Sequence, residues 1–212
     1  RVVDEFRPNV FFFFFVGGLL SAKPGGVPVR KRIYDAFTQI GYQILTPEEM
    51  PSALYNAVNF NVPQYRPRVI ILGVRRDSNI DLNDLYKSIE REQKLNKKLT
   101  VRDAIGHLPP LYPLEQQVKD GRYMRSHELN SNLEITQHEA RNHGPRERGI
   151  FKEWVENNMN YISHQAMIDY YYEISGHKTL YQKYKNLEWD KPSHTIVAHL
   201  SKDGYMFIHP DS

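Results

Sequence analysis

The run from Val10 to Val16 constrains the fold more than any other stretch, because all of its residues are apolar and five are consecutive phenylalanines. Pro8 precedes the run and Gly17-Gly18 follows it, so its length and flanks are those of a strand rather than a helix. Such a run predicts a strand buried on both faces, as in a parallel sheet. A second apolar run, Val69 to Val74, predicts another buried strand.

A helix is predicted between these two strands. Pro28 suits its first turn and Gly41 its end, and four apolar residues recur between them at helical spacing, namely Val29, Ile33, Phe37 and Ile40. A short apolar stretch at 43–45 follows the helix. Because strands and a helix follow one another in this order, the sequence predicts an α/β fold.

The character of the sequence changes after Arg76, where charged and polar residues become frequent. The predicted elements are a polar helix at 83–98, a short helix at 100–108 that Thr100 caps, an extended segment at 108–113, a loop at 121–132, helices at 148–157 and 161–174, and a hairpin of strands 195–200 and 205–208. We therefore expect three parts: a partial catalytic domain at 1–76, a small mixed α+β domain at 77–187, and a segment at 188–212 that returns to the first part.

Composition excludes several classes of protein. The chain has 28 basic and 25 acidic residues, a net charge of +3 that tolerates a polyanionic partner without requiring one. The absence of cysteine excludes disulfides, thiolate metal sites and a cysteine nucleophile on this chain. The longest apolar run, Val10 to Leu20, is about half of the ~20 residues that span a bilayer. Acidic residues at Asp4 and Glu5 disrupt any signal peptide, so we expect a cytoplasmic protein with no membrane partner.

Three polar side chains precede the second apolar strand. Gln64, Arg66 and Arg68 alternate along extended chain, so all three are expected on one face. One amide and two guanidinium groups together suit a ligand that carries phosphate and carbonyl oxygens. The alternative is a solvated strand entrance with ordinary surface arginines, and spacing alone favours neither.

The segment Pro63-Gln64-Tyr65-Arg66-Pro67-Arg68 resembles the Pro-Gln-x-Arg-x-Arg block of DNA (cytosine-5) methyltransferases. Two further segments resemble blocks of the same family in the same order: Thr100 to Ile105 before Leu108-Pro109, and Asp190 to Ile196 before Gly204 and Ile208-His209-Pro210. The resemblance implies part of a Rossmann-like methyltransferase sheet together with a smaller, mixed α+β target recognition domain. It covers essentially the whole chain, most loosely in the middle.

Enzymes of this family flip a cytosine out of double-stranded DNA and transfer a methyl group to it from S-adenosylmethionine. By resemblance, Arg68 would contact the oxygen of the flipped cytosine and a nearby phosphate, and Arg66 would brace the nucleophile loop. Gln64 would order the pocket. Lys191, Ser193 and Thr195, in the later block, would contact DNA or orient the recognition domain.

The resemblance also shows what this chain lacks. The family's Pro-Cys nucleophile and its glycine-rich cofactor loop belong to earlier blocks, so we expect a C-terminal portion with no cofactor site, inactive alone and partnered by an N-terminal half. In the family's Glu-Asn-Val block, Phe14 replaces the glutamate and Phe15 the asparagine. Phenylalanine cannot hold a cytosine ring nitrogen by a hydrogen bond. The run is either an inactivating change or an unnatural sequence, since five phenylalanines invite aggregation.

The densest polar cluster of the middle region is Thr136 to Arg148, from which Arg141, His143 and Arg146 are predicted to approach DNA. The alternative is a solvated turn before a helix. A metal site is not expected, because His138 and His143 lack a third ligand at useful spacing. The tyrosines at 170–172 and 181–184 could stack on bases, but core packing is the favoured interpretation.

Two functions follow from these patterns. The first is the portion of a restriction-modification cytosine-5 methyltransferase that binds DNA, recognises the target sequence and helps hold the flipped base. The second is a non-catalytic DNA-binding module, or one subunit of a split methyltransferase.

Overall fold

A computed structural model describes residues 1–93, 97–121, 123–129, 132, 135–140, 143–197 and 205–211. The chain is a mixed α/β protein with two compact units, Arg1–Leu99 and Thr100–Ser212. The sequence placed a boundary after residue 76, whereas the structure keeps the next helix with the first unit, because Leu82 and Tyr86 lie in that unit's core. Among the described residues, no helix combines the length and apolar character needed to cross a bilayer.

The first unit is built on a sheet whose central strand is β4, Pro67–Arg75. Strand β1, Val10–Val16, pairs with one edge of β4, and two short strands, β2 at Tyr42–Gln43 and β3 at Leu54–Asn56, pair with the other edge. All three run antiparallel to β4. The strands at β1 and β4 are therefore confirmed, but the expected parallel pairing is wrong. β1 and β2 are parallel to each other, with β4 between them.

Three α-helices accompany this sheet: α1 at Val2–Phe6, α2 at Val29–Gln39 and α3 at Leu82–Arg91. Helix α2 begins after Pro28 and ends before Gly41, as the sequence predicts. Helix α3 begins at a cap in which the Asp81 carboxylate accepts the N–H groups of Asn83 and Asp84, at 2.7 and 3.2 Å. It ends at Arg91, earlier than the predicted residue 98; residues 94–96 of that prediction lie outside the described residues.

The phenylalanine run divides between the two faces of β1. Phe11 is 7% exposed and its ring lies 4.3 Å from that of Phe37 on α2, centroid to centroid. Gly73 stands opposite Phe11, and a Cβ atom there would lie 2.2 Å from the Phe11 ring, so this position requires glycine. Phe12 and Phe14 point to the other face and are 57% and 62% exposed. Burial on both faces was thus a wrong prediction, because an antiparallel sheet can leave one face uncovered.

Tyr86 of α3 bonds to the backbone of β4 between the residues that pair with β2 and those that pair with β3. Its hydroxyl accepts the N–H of Leu72 and donates to the carbonyl of Ile70, both at 3.0 Å. Burial raises the pKa of Tyr86 to about 12, so the hydroxyl keeps its proton at neutral pH. The Tyr86 hydroxyl therefore supplies the hydrogen bonds that this part of β4 does not receive from the short strands β2 and β3.

Replacing Tyr86 with phenylalanine is expected to lower the free energy of unfolding of the first unit by about 1–3 kcal/mol, because two buried backbone groups lose their partner. Urea unfolding followed by far-ultraviolet circular dichroism measures this change. Tyr34→Phe, on the partly buried face of α2, is the matched control and should shift stability by less than ~0.5 kcal/mol. Equal stability of the Tyr86 and Tyr34 variants would contradict the assigned role.

The second unit contains helices α4, α5 and α6 and strands β5 to β8. Their bounds are Val101–Ile105 for α4, Leu111–Asp120 for β5, Tyr123–Leu129 for β6, Pro145–Glu156 for α5, His164–Ser175 for α6, Tyr184–Asn186 for β7 and Tyr205–Ile208 for β8. Thr100 caps α4 together with Asp103, which confirms the predicted cap. Helices α5 and α6 confirm the two later helices within a few residues.

Strand β6 was missed by the sequence analysis, which placed a loop at 121–132. It pairs antiparallel with β5, and Asp120 stands opposite Tyr123 across a two-residue connection that starts at Gly121, φ +60°. Glycine at the first position of such a connection is a known hairpin signal. Strand β6 was not recognised because its sequence is mostly polar and lacks the regular alternation of apolar and polar residues that indicates a strand with one buried face.

The predicted hairpin at 195–208 is only partly tested, because residues 198–204 lie outside the described residues. Residues Thr195 to Val197 are not in a strand, so that part of the prediction is wrong. Strand β8 exists, but it pairs with β7 in parallel. Both strands pack on a core centred on Trp154, in which Ile150, Met167, Tyr184 and Ile208 are also buried.

Candidate functional site

The approach to β4 is a closed loop held by Asn56. Its side-chain oxygen accepts the backbone N–H of Arg66 at 2.8 Å and that of Val58 at 3.4 Å. The N–H of Ala57 donates to the carbonyl of Arg66 at 3.2 Å, which closes the base of the loop. Asn61, at φ +58°, ends the short 3-10 helix Ala57–Phe60 inside it. The hydrogen bonds from these backbone N–H groups to the Asn56 side chain thus fix the backbone position of Arg66 at the end of the loop.

Gln64, Arg66 and Arg68 are all half-buried rather than extended into solvent. The backbone N–H of Gln64 donates to the carbonyl of Val62 at 2.7 Å. Arg68 stands opposite Val16 of β1 and Tyr55 of β3, and one of its guanidinium nitrogens, Nη1, donates to the carbonyl of Pro67 at 2.7 Å. These residues therefore lie at the head of β4, where the sequence placed them.

The two arginines influence each other electrostatically. Burial lowers the pKa of the Arg68 guanidinium, and the positive charge of Arg66 lowers it further. Within the described residues, Arg68 forms no ion pair with a carboxylate. Two neighbouring cations, one of them half-buried without a carboxylate, make a site that favours an anionic or oxygen-rich ligand.

Phe14 lies on the same face of the sheet as Arg68. It stands opposite Ile70, two positions from Arg68 along β4, which is a diagonal cross-strand relation within reach of long side chains. Phe15 stands opposite Val69 and faces the core side. Phe14 therefore presents, on the face of the sheet that carries Arg68, an exposed ring that can neither donate nor accept a hydrogen bond.

A cleft of about 380 Å³ in the first unit lies elsewhere. Its lining residues are Leu45, Glu49, Ser52, Tyr55, Asn83, Tyr86, Lys87 and Glu90. Neither this cleft nor a second one of about 260 Å³ is lined by Gln64, Arg66 or Arg68. The described residues include no cluster of three His, Asp or Glu residues suited to a metal ion.

The residues predicted to approach DNA from the 136–148 cluster have packing contacts. His143 is partly buried, with its ring 4.9 Å from Phe151 and 5.4 Å from Tyr205, edge to face. The guanidinium of Arg146 donates to the carbonyl of Ile174 at the end of α6. Arg141 lies outside the described residues. Arg146 is exposed, so its packing contact is compatible with DNA binding. The His143 ring instead packs against aromatic residues of the second unit.

Lys191 is held in a polar cluster on the second unit. Its ammonium group lies 2.7 Å from a carboxylate oxygen of Glu188 and donates to the hydroxyl of Tyr161 at 2.6 Å. These hydrogen bonds, first that to Glu188, raise the pKa of Lys191. Burial alone would raise the pKa of Glu188, but the bonds from Lys191 and Tyr161 lower it overall. Lys191 is exposed, so its charge remains accessible from solvent.

Ser193 and Thr195 differ in exposure from Lys191. Ser193 is 8% exposed, and its hydroxyl donates to the carbonyl of His194 at 2.9 Å, so it is a structural residue of this segment. Thr195 is half-buried. His194 between them stacks on Phe207 with ring centroids 4.4 Å apart. Burial, followed by the positive charge of Lys185, lowers the pKa of His194.

Arg102 is a residue whose role the sequence analysis missed. Its backbone N–H donates to the carbonyl of Trp189, and its guanidinium lies 5.3 Å from that indole ring and bonds Asp190 at 3.0 Å. The N–H of Val101 donates to the carbonyl of Lys191. The start of α4 therefore holds residues 189–191. The only sequence signal was that both segments belong to family-like blocks, and no spacing rule joins positions that far apart.

Comparison with known proteins identifies the family of this chain. A family model described as C-5 cytosine-specific DNA methylase matches residues 1–207. The mixed α/β chain with this site is therefore a member of the C-5 cytosine-specific DNA methylase family.

Several curated relatives are type II methyltransferases. M.Bpa9945I of Bacillus paralicheniformis is 33% identical over 100% of this chain and 50% of its own length. M.MthTI of Methanothermobacter thermautotrophicus is 35% identical over 65% of this chain and 35% of its own length. A solved structure of an E. coli prophage protein assigned as a DNA modification methyltransferase aligns over 92% of this chain and 54% of that chain, with 18% identity and a TM-score of 0.49, too low to support an argument. The chain spans about half or less of the length of these relatives.

Proposed function

We propose that this chain is the DNA-recognising portion of an S-adenosylmethionine-dependent DNA cytosine-5 methyltransferase of a restriction-modification system. In this proposal the first unit supplies part of the cytosine pocket through Gln64, Arg66 and Arg68, and the second unit, from Thr100 to about residue 187, serves as the target recognition domain. The observation that carries it is Arg68, which is half-buried, lies close enough to Arg66 for the two charges to interact, and itself forms no ion pair with a carboxylate among the described residues.

The residues needed for catalysis would be divided between this chain and the additional length that the relatives possess. This chain has no cysteine, so the nucleophile, and with it the cofactor site, would come from the additional length that the relatives possess. The chain alone would bind DNA without transferring methyl groups. Arg68 would bind the flipped base and a phosphate, while Arg146, Lys191 and Thr195, together with Arg141 outside the described residues, would contact the duplex. Because cellular DNA would be its substrate, we place the protein in the cytoplasm.

A second candidate function is a non-catalytic DNA-binding module or one subunit of a split enzyme. It is supported by Phe14 and Phe15, which by resemblance would occupy the positions of the family's glutamate and asparagine. All of these functions require DNA binding. A non-catalytic module differs from the others in that no methyl transfer appears when the remaining part of a methyltransferase is supplied and Phe14 is replaced by glutamate.

Duplex DNA is expected to bind the chain with an affinity that falls steeply as salt rises, because each neutralised phosphate contributes a slope of roughly −0.9 in log K against log salt. Fluorescence anisotropy of a labelled 20-base-pair duplex between 50 and 200 mM salt measures this slope. We expect about −3 to −5, which corresponds to a handful of phosphate contacts. Binding that does not respond to salt, or no binding at 50 mM, would reject both candidate functions.

A further inference from the structure

Two large apolar side chains are exposed on an ordered segment of the second unit. Residues 176–183, here called the 176–183 loop, connect α6 to β7. Leu180 and Tyr181 in this loop are 78% and 73% exposed, among the highest values for large hydrophobic residues in the described chain. Tyr184, three residues later, is buried in the core. The expected core packing thus holds for Tyr184 but not for Tyr181, although both belong to the same tyrosine-rich segment.

The backbone of the 176–183 loop is fixed by side chains. The Nε2 atom of His164 lies 3.3 Å from the carbonyl of Leu180, and Thr179 Oγ1 accepts the N–H of Tyr181 at 3.1 Å. The Gln182 amide donates to a carbonyl of β7 at 2.7 Å. Gly176, at φ +71°, ends α6 and starts the loop. The loop therefore presents its two apolar side chains from a defined backbone, which reduces the entropy lost when a partner binds.

The charged residues in the sequence around these two side chains are all basic. No acidic residue occurs between Glu173 and Glu188, whereas this interval contains Lys178, Lys183 and Lys185. Within the described residues, none of these lysines forms an ion pair with a carboxylate. Exposed apolar groups flanked by uncompensated cations suit a polyanion that also offers apolar surface. Duplex DNA does so through its phosphates and its base edges.

We infer that the 176–183 loop is a DNA contact surface, in which Leu180 and Tyr181 pack against base edges in a groove and Lys178 and Lys183 contact phosphates. This inference rests on the proposed function and adds a specific element to it, separate from Arg66 and Arg68. Apolar side chains next to bases discriminate sequence by contact with groups such as the thymine methyl, whereas phosphate contacts set register. The loop would accordingly contribute to target selection.

The inference is tested with the 212-residue chain and the labelled duplex, using the paired substitutions L180A/Y181A and K178Q/K183Q. The apolar pair is expected to weaken binding about tenfold with little change in salt slope. The lysine pair is expected to reduce the magnitude of the slope by about 2, because two phosphate contacts are lost. Tyr181→Phe keeps the ring and should bind like the unchanged chain.

Controls separate failure of this inference from failure of the proposed function. Lys152→Gln removes an exposed lysine of the same unit that pairs with Glu156, and should leave the slope unchanged. All substituted side chains are at least partly exposed, so circular dichroism melts should match. If the unchanged chain binds in a salt-dependent way and both paired variants bind equally well, the loop inference is overturned and the proposed function stands. If the unchanged chain does not bind, both are overturned.

Discussion

Replacing Trp154 with alanine is expected to lower the free energy of unfolding of the second unit by about 3–5 kcal/mol, the range for removing a large aromatic side chain from a core. Trp154 has 0% exposure, and its ring lies 5.7 Å from Tyr170 and 5.6 Å from Tyr184, centroid to centroid. Residues of α5, α6 and β7 meet at this ring, so its loss leaves a cavity between three elements.

A polar network adds to the cost. The indole Nε1–H of Trp154 donates to the side-chain oxygen of Asn160 at 2.9 Å, and the same oxygen accepts the N–H of Asn186 at 3.2 Å. The Asn160 amide also donates to the carbonyl of Asn186 at 3.0 Å. Trp154→Phe, which keeps an aromatic ring but loses the donor, is therefore expected to be destabilising by a smaller amount, about 1–3 kcal/mol.

Urea unfolding measured by tryptophan fluorescence tests this prediction selectively. Both tryptophans of the chain, Trp154 and Trp189, belong to the second unit, so Trp189 still reports on that unit when Trp154 is absent. Tyr112→Ala, at a residue 49% exposed on β5, is the matched control, with an expected change below ~0.5 kcal/mol. A midpoint for Trp154→Ala equal to that of the control would show that the second core is not organised around this residue.

Arg68→Ala is expected to reduce methyl transfer by about 10²- to 10³-fold in a reconstituted enzyme, the scale for removing one group that stabilises developing charge. The reconstituted enzyme is this chain, carrying Phe14→Glu and Phe15→Asn, in place of the matching half of the Bacillus paralicheniformis relative. Glutamate should be tolerated at position 14, which is 62% exposed. Transfer from labelled S-adenosylmethionine to duplex DNA is the measurement, with the unmodified chain alone as the background.

Two further substitutions interpret the result. Arg68→Lys keeps the charge but loses the planar, bidentate donor, so intermediate activity is expected. Arg91→Ala, at the exposed end of α3, removes an arginine of the same unit outside the site and should leave activity unchanged. Full activity of the Arg68→Ala enzyme would refute the pocket role. An inactive reconstituted enzyme whose glutamate is restored, with normal DNA binding, would favour the non-catalytic alternative.

The helices and the central strand of this protein were predictable because their signals are local. Pro28 and Gly41 bracket α2, and Thr100 with Asp103 caps α4, since these residues act on backbone groups within one turn. The Gln64, Arg66 and Arg68 series was likewise found from its alternation before an apolar strand. Spacing alone left open whether this series was solvated, and its half-burial depends on β1 and β3, which pair with β4 beside Arg68.

Strand pairing and side-chain exposure, in contrast, depend on contacts between segments that are distant in the sequence. The sequence of β1 shows five equivalent phenylalanines, and only the antiparallel pairing with β4 makes Phe11 a core residue opposite Gly73 while Phe14 faces solvent beside Arg68. In the same way, Tyr181 and Tyr184 are indistinguishable by residue type, but one is exposed and the other is buried. Which face a covering element occupies is a long-range property, so no local pattern encodes it.

The sequence by itself therefore determined helices α2, α4, α5 and α6, the strand β4, the family-like blocks and the order of the candidate site residues, because each depends on neighbours a few positions away. Tertiary structure alone decided the antiparallel sheet order, the bond of Tyr86 to the edge of β4, the clamp of Arg102 on residues 189–191 and the exposure of Leu180. Each of these depends on contacts between segments distant in the chain, or on which surface another element covers, and that is settled only when the whole unit packs.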